Sequence, residues 1–311
     1  MDHLDPRGQE LFAHYRAISA KLRKRFMKKP NVKEASEDYG KLANRLKNED
    51  NPHYSSMCFQ AMAKCDRLMG DSSGEAEAWA NAGRQFFTAE ELLFSAQHAS
   101  YRESLDAGVH CFIMAIDAHE RKGDGVMAAM FCLELAGKLV HFERLHEASR
   151  FFQRAIDLQV NKPECQLRTL ERLASCKLRL RAYDGALNVY TRIFSETKGK
   201  EGPYLVLRKR CEVCILLLLL MLQIPERHYK TEHSMIIESY SKSILDMEYK
   251  ETDHSLNRYI LLQSLINASR RRDYKEIEAV RASLWSHLDE EQQHLMHLLM
   301  EVHCPYRRPL L

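Results

Sequence analysis

The sequence predicts an all-α protein. Glycine and proline are scarce, at 12 and 8 residues of 311, as is typical of helical proteins. Apolar side chains recur at helical spacing along the chain, and the sequence contains no convincing strand with a two-residue period. Short polar clusters with Gly, Asn or Pro separate the periodic segments, as successive helices require. These clusters lie at 48–52, 70–74, 122–125, 161–163 and 197–203.

The first predicted helix combines an apolar stripe with a basic face. The stripe consists of Leu11, Tyr15, Ile18, Leu22 and Phe26. Most basic side chains point away from it, so we expect an exposed cationic face on a packed helix. Pro30 ends this helix near Lys29. A capping box formed by Asn31 and Glu34 starts a second helix, whose stripe is Val32, Ala35, Tyr39, Leu42 and Leu46.

Three segments share one pattern at spacings of 40 and 38 residues. They are "GVHCFIMAID" (108–117), "ASRFFQRAID" (148–157) and "ALNVYTRIF" (186–194), and each places an aromatic residue four positions after a small one. Ala136 and Ala174 lie twelve positions before the second and third segments. Small residues allow helices to cross closely, and the aromatic residues fill the gap to the next pair. Residues 145–158 and 182–193 look like second helices of degenerate tetratricopeptide repeats.

We therefore expect a tetratricopeptide-like array of helical hairpins that forms a right-handed superhelix. No linker is long or distinct in composition, so the prediction is a single helical-repeat domain of residues 1–311. Within it, basic N-terminal helices occupy 8–48, a repeat core occupies 52–223, and acidic C-terminal helices occupy 231–303.

The sequence carries no catalytic signature that we recognise. It lacks a phosphate-binding G-x-x-x-x-G-K-[ST] loop, a G-x-G-x-x-G after a strand and a G-x-S-x-G. His294, His297, His303 and Cys304 lie on successive turns, but leucines alternate with them, so an ordinary amphipathic helix is favoured over a metal site. The predictions are no enzymatic activity, no cofactor and no metal.

The nine cysteines are scattered, and the opening "MDHLDPRGQE" has no apolar segment of the kind found in signal peptides. We expect a reducing compartment with mostly buried thiols. Cys211 and Cys214 form a C-x-x-C inside an apolar helix, without a second C-x-x-C at zinc-site distance. The favoured interpretation is a pair of buried core thiols.

The segment "VCILLLLLMLQI", at 213–224, is about 12 residues long, whereas a membrane-spanning helix needs roughly 20. Burial on all sides is one interpretation. The other is a helix whose outer face only a partner covers. On the second interpretation Leu216, Leu217 and Leu220 are candidate partner-binding residues.

The charged residues are distributed unevenly. Between Arg16 and Lys33 there are eight basic residues and no acidic one. A solvated face, nucleic-acid binding, a membrane surface, nuclear import and an acidic protein surface all remain open. Nucleic acid is disfavoured for lack of interleaved aromatic residues, and direct membrane insertion because the apolar stripe faces the core. The candidate partner-binding residues are Arg23, Lys24, Arg25, Lys28 and Lys29 at the basic end, and Asp289, Glu290 and Glu291 at the acidic end.

Two blocks resemble the 40-kDa huntingtin-associated protein family, also called the factor VIII intron 22 protein family. They are "KLRKRFMKKPNVKEA" (21–35) and residues 261–299, which include "LLQSL" and "EQQHLMHL". "RCEVCILLLLL" (210–220) and residues 175–193 also fit, so the resemblance covers nearly the whole chain. Some members of the family carry a long Pro-rich insertion where this chain has only "TKGKEGP".

The resemblance implies a non-catalytic interaction subunit that binds and stabilises huntingtin, in the cleft between its HEAT-repeat arms. It also implies a role in endosome trafficking through a small endosomal GTPase, with a cytoplasmic, early-endosomal and nuclear location. The alternative is a vesicle-trafficking adaptor resembling the soluble NSF attachment proteins. Against this alternative, the chain lacks the expected apolar membrane-attachment loop, and Leu310–Leu311 is only a weak match to the expected ending.

Overall fold

The computed structural model describes residues 6–23, 30–98, 100–240 and 253–303. Over these ranges it contains fourteen α-helices and no strand. The helices are α1 (Pro6–Lys21), α2 (Val32–Asn48), α3 (Pro52–Met69), α4 (Ser72–Ser95), α5 (Glu103–Lys122), α6 (Gly125–His141), α7 (Leu145–Leu158), α8 (Pro163–Arg179), α9 (Tyr183–Glu196), α10 (Pro203–Leu222), α11 (Thr231–Ser239), α12 (Asp253–Arg271), α13 (Tyr274–Leu284) and α14 (Glu290–His303). Each predicted polar cluster lies between two of them.

The chain divides into two compact units, Met1–Gln166 and Leu167–Leu311. The first contains α1 to α7, and the boundary lies in the first turn of α8. The second contains most of α8 and the helices that follow. The sequence-based division into one domain with segments 8–48, 52–223 and 231–303 stays a prediction.

Successive helices of the first unit pack against one another. Ion pairs also join α4 to α6 and α5 to α7. Arg84 of α4 binds Glu134 of α6 through two hydrogen bonds of 2.7 and 2.8 Å. Arg154 of α7 binds Glu120 of α5, also twice, at 3.0 and 2.8 Å. Successive helices in contact, with ties to the next helix but one, are typical of a tetratricopeptide-like array of helical hairpins, so the predicted fold class is confirmed.

Two of the described helices, α4 and α5, cross closely. A Cβ atom at Gly83 would lie 2.6 Å from Cδ2 of Phe112, and one at Gly108 would lie 2.7 Å from Cε1 of Phe87. The two phenylalanine rings stack with centroids 5.6 Å apart and are fully buried. Glycine is required at both positions, because any side chain would overlap a ring that cannot move. The small residue predicted at position 108 is therefore confirmed.

The repeat pattern is confirmed further along the chain. The four alanines of the pattern are fully buried, and the aromatic residues four positions after the second and the fourth alanine are buried as well. They are Ala136, Ala148, Ala174, Ala186, Phe152 and Tyr190. Because alanine has a small side chain, helices can approach one another closely at these positions. The aromatic rings then fill the space that remains between the helices.

The start of α2 also follows its prediction. The Asn31 side chain accepts a hydrogen bond from the Glu34 amide and donates one to the Glu34 carboxylate. The α2 stripe is buried at Ala35, Tyr39, Leu42 and Leu46. However, α1 ends at Lys21 rather than near Lys29, because the amides of Leu22 and Arg23 bond back only three residues. Phe26 lies outside the described residues.

A buried carboxylate joins α2 to α3. Asp66 accepts a hydrogen bond from the Ser36 hydroxyl through one oxygen. The other oxygen has no hydrogen-bond partner in the part of the chain that the structure describes. Burial first, and then the nearby carboxylates of Asp71 and Glu75, raise the pKa of Asp66 above its ordinary value. The ionised form therefore costs stability, because a buried charge lacks full compensation.

We expect Asp66→Asn to stabilise the first unit by about 1 kcal/mol at neutral pH. Asparagine keeps an acceptor for Ser36 and carries no charge. Because folding raises the pKa of Asp66, its protonated form favours folding below the unfolded-state pKa, and this contribution is lost as pH rises through the folded-state value. Urea unfolding at pH 4 to 7 should show that the extra stability of the variant over wild type becomes smaller as pH falls. A variant less stable than wild type at pH 7 would contradict this account.

Candidate protein-interaction surfaces

The basic block is only partly within the described residues. Arg23 is exposed just after α1. Lys24, Arg25, Lys28 and Lys29 lie outside the described residues. Lys21, by contrast, binds Glu34 and Asp38 of α2 at 2.5 and 2.6 Å and so holds α1 to α2. The predicted partner-binding role of the block stays a prediction.

The leucine run is core. Leu216 and Leu217 are 0% exposed, because α10 packs against α9, α11 and α14. The prediction that a partner covers these two leucines is therefore wrong, and burial on all sides is the correct interpretation. Leu220 is half-buried. No helix in the described ranges is both long and apolar enough to cross a membrane.

The acidic end is partly used inside the second unit. The Arg210 guanidinium on α10 lies 2.8 Å from the Asp289 carboxylate and 3.0 Å from the Glu291 carboxylate. Glu171 of α8 lies 3.4 Å away, and the Tyr190 hydroxyl donates to Glu291 at 2.9 Å. This cluster holds α14 against α10, so Asp289 and Glu291 are committed to contacts within the chain.

Glu290 differs from its two neighbours. It is exposed in the first turn of α14, where a carboxylate also interacts favourably with the helix dipole. Of the three acidic candidates, it is therefore the one whose surroundings suit contact with a partner.

Most of the cysteines that the structure describes lie in the core. Seven of the eight cysteines in the described ranges are buried, and Cys165 is exposed. Burial raises the pKa of the Cys214 thiol to about 12 and that of Cys211 well above its ordinary value, so the C-x-x-C is a poor nucleophile. Among the described residues, no group of three or more His, Cys, Asp or Glu could hold a metal ion. Cys304 lies outside them.

Sequence reasoning missed a groove in the first unit. A cavity of about 380 Å³ opens between the N-terminal turn of α3 and the C-terminal end of α4. It is lined by Asp50, Asn51, Pro52, His53, Tyr54, Ala89, Leu92, Leu93 and His98. Phe94, in the last turn of α4, is largely exposed. Helical periodicity could not reveal the groove, because it arises where the ends of two helices meet.

A second missed feature is the start of α10, which we call the α10 tip and define as residues 198–208. Leu205 is 37% exposed and Val206 72% exposed. The Lys200 ammonium lies 5.1 Å from the centroid of the Tyr204 ring. The sequence concealed this exposure, because apolar residues at both ends of α10 do not follow a single stripe, and periodicity cannot show which end of the helix is covered.

Two relatives match almost the whole chain. A 40-kDa huntingtin-associated protein of Rattus norvegicus is 30% identical over an alignment of 353 positions, gaps included, which covers 94% of this chain and 92% of the relative. The protein of the same name from Mus musculus gives the same identity and coverage. The chain belongs to the 40-kDa huntingtin-associated protein family. The resemblance inferred from residues 21–35 and 261–299 is thus confirmed.

The family profile described as soluble NSF attachment protein, SNAP, matches residues 19–201 of this huntingtin-associated protein family member. The two sequence-based interpretations are therefore not exclusive at the level of family. Both families are interaction proteins, and the chain is a protein-interaction adaptor.

A solved structure, described as "Functional Characterization of Pseudomonas Aeruginosa pilF", is 14% identical in sequence to this chain. The match covers 86% of this chain and 98% of the chain in that structure. Its TM-score of 0.33 is too low to bear on the fold or function of this chain.

Proposed function

We propose that the chain is a non-catalytic subunit that binds and stabilises huntingtin, in the cleft between its HEAT-repeat arms. The observation that carries this proposal is the 30% identity, over 94% of the chain, to relatives named for their association with huntingtin. Exposed Arg23 and Glu290 provide charges of opposite sign on the surfaces of the two units. Such charges favour encounter with a complementary partner and fix orientation.

Co-purification tests the proposal. The chain is expressed with and without huntingtin from the same source, and both preparations are run by size exclusion. We expect a one-to-one complex. We also expect the triple variant Arg23→Glu, Lys24→Glu, Arg25→Glu to weaken it, because the variant turns a basic face acidic. Recovery of the chain alone, with no complex, would refute the proposal.

A matched control separates docking from total charge. Lys47, Lys64 and Arg67 are exposed on α2 and α3, so reversing all three changes the net charge by the same amount elsewhere on the first unit. We expect this second triple variant to bind huntingtin as wild type does. If both triple variants weaken huntingtin binding equally, only the net charge matters for binding. The basic block would then be interpreted as an ordinary solvated face.

The second candidate function is a vesicle-trafficking adaptor of the soluble NSF attachment protein type. The match of that family's profile to residues 19–201 favours it. Binding to a SNARE bundle in a pull-down, with recruitment of the ATPase, would support this function over the first. Early-endosomal association through a small endosomal GTPase, and a cytoplasmic and nuclear location, are further proposals from the family resemblance. Imaging of the tagged chain in cells with an endosomal marker tests them.

A further inference from the structure

The α10 tip presents aliphatic side chains on a rigid support. Leu205 and Val206 lie in the first turn of a helix that is almost entirely buried from Cys211 to Leu219. Pro203 occupies the first helical position, and Gly202 precedes it with a φ of 68°. The apolar pair is therefore held by regular helix geometry, and little conformational entropy is lost when it meets a partner.

Cations flank the apolar pair along the chain. Lys198 and Lys200 are exposed in the preceding turn, and half-buried Arg208 follows the pair. Glu201 is the one acidic residue between positions 198 and 208 of the sequence. Three cations against one carboxylate give the tip a net positive charge next to its exposed apolar pair. The complementary surface is negative at its edge and apolar in the middle.

We propose that the α10 tip docks onto an acidic protein surface that contains an apolar pocket. The inference rests on the proposed function, since the partner to be tested is huntingtin. Val206 enters the pocket together with Leu205. Carboxylates at the edge of the pocket pair with Lys198, Lys200 and Arg208. A small apolar centre with a charged rim is the usual anatomy of a protein–protein contact.

A membrane surface fits the tip less well. Membrane-surface helices present a long apolar face, often with aromatic residues, and a single short anchor gives only marginal binding. The tip exposes two aliphatic side chains, and its aromatic residue, Tyr204, is half-buried with Lys200 above its ring. The observations thus favour a protein pocket over lipid.

Val206→Glu tests the proposal in the full chain with full-length huntingtin. We expect at least tenfold weaker binding, because the variant places a carboxylate in an acidic, apolar site. The double variant Lys198→Glu, Lys200→Glu should weaken binding about tenfold at low salt, with a smaller loss at high salt, because rim charges act through screened attraction. Binding kinetics on an immobilised partner measure both effects.

The chain offers a closely matched control. Val160, after α7 in the first unit, is 71% exposed, against 72% for Val206. Val160→Glu therefore makes the same chemical change at the same exposure, and should leave huntingtin affinity unchanged. Both positions lie in solvent, so both variants should fold, and thermal unfolding followed by circular dichroism verifies this.

The outcomes separate this inference from the proposed function. If wild type does not bind huntingtin, both fail. If wild type binds and Val206→Glu binds equally well, or both glutamate variants weaken binding equally, the inference alone is overturned. Flotation with anionic phospholipid vesicles tests whether the tip binds a lipid surface instead. Loss of vesicle binding by Val206→Glu, with huntingtin affinity unchanged, would make the tip a lipid site and overturn the inference.

Discussion

Gly83→Val is expected to lower the free energy of unfolding of the first unit by about 3 kcal/mol. The new Cβ would fall 2.6 Å from Cδ2 of Phe112, and 3.1 Å from the Gly108 carbonyl oxygen on the facing helix. Phe112 is fully buried and stacked on Phe87, so its ring has no space into which to move. The overlap outweighs the gain of at most about 1 kcal/mol in helix propensity when glycine is replaced. Urea unfolding followed by circular dichroism measures the loss.

Gly125→Ala is the control for the effect of replacing a helical glycine. A Cβ at Gly125 would meet the Leu158 carbonyl oxygen at 3.5 Å, which is an ordinary contact. We expect the free energy of unfolding to change by no more than about 0.5 kcal/mol, because a substitution without steric overlap affects stability only through helix propensity. Similar losses in the two variants, or none at Gly83, would show that α4 and α5 do not cross closely in solution.

Leu217→Ala should cost the second unit about 3 to 4 kcal/mol. Its side chain is 0% exposed, and α9, α11 and α14 surround the helix that carries it. Truncation therefore removes buried apolar surface and leaves a cavity that its neighbours fill only in part. The unfolding free energy of the isolated chain measures the effect.

Leu68→Ala provides the comparison, since Leu68 is 73% exposed at the end of α3. We expect its unfolding free energy to stay within about 0.5 kcal/mol of wild type. The alternative role for Leu217, contact with a partner, makes the opposite prediction. It requires Leu217→Ala to retain full stability in isolation and to lose affinity for huntingtin. That result would restore the interpretation that the structure has overturned.

Local patterns predicted much of the fold. Asn31 and Glu34 are three residues apart, and the cap hydrogen bonds run between these two residues. The small residue at Gly108 and the aromatic residue at Phe112 similarly specify a close helix crossing wherever the partner helix lies. Such features depend on a few neighbouring residues, so spacing alone exposes them.

The candidate surfaces depended on contacts that spacing does not encode. Asp289 and Glu291 are exposed acids by sequence, yet both pair with Arg210, about 80 positions earlier. Leu217 and Val206 belong to one apolar helix, and only its neighbours make one core and the other surface. Long-range pairing and differential burial are properties of the assembled chain, so sequence reasoning could not foresee the surroundings of these residues.

The buried cysteines give the chain its own reporters of local opening. Cys58, Cys65, Cys111 and Cys132 lie in the first unit, and Cys176, Cys211 and Cys214 in the second. Burial raises the pKa of each thiol, and an alkylating reagent reacts with the thiolate. Modification of a given cysteine therefore has to wait for the helices around it to separate. The order in which these thiols react would map which parts of each unit open first.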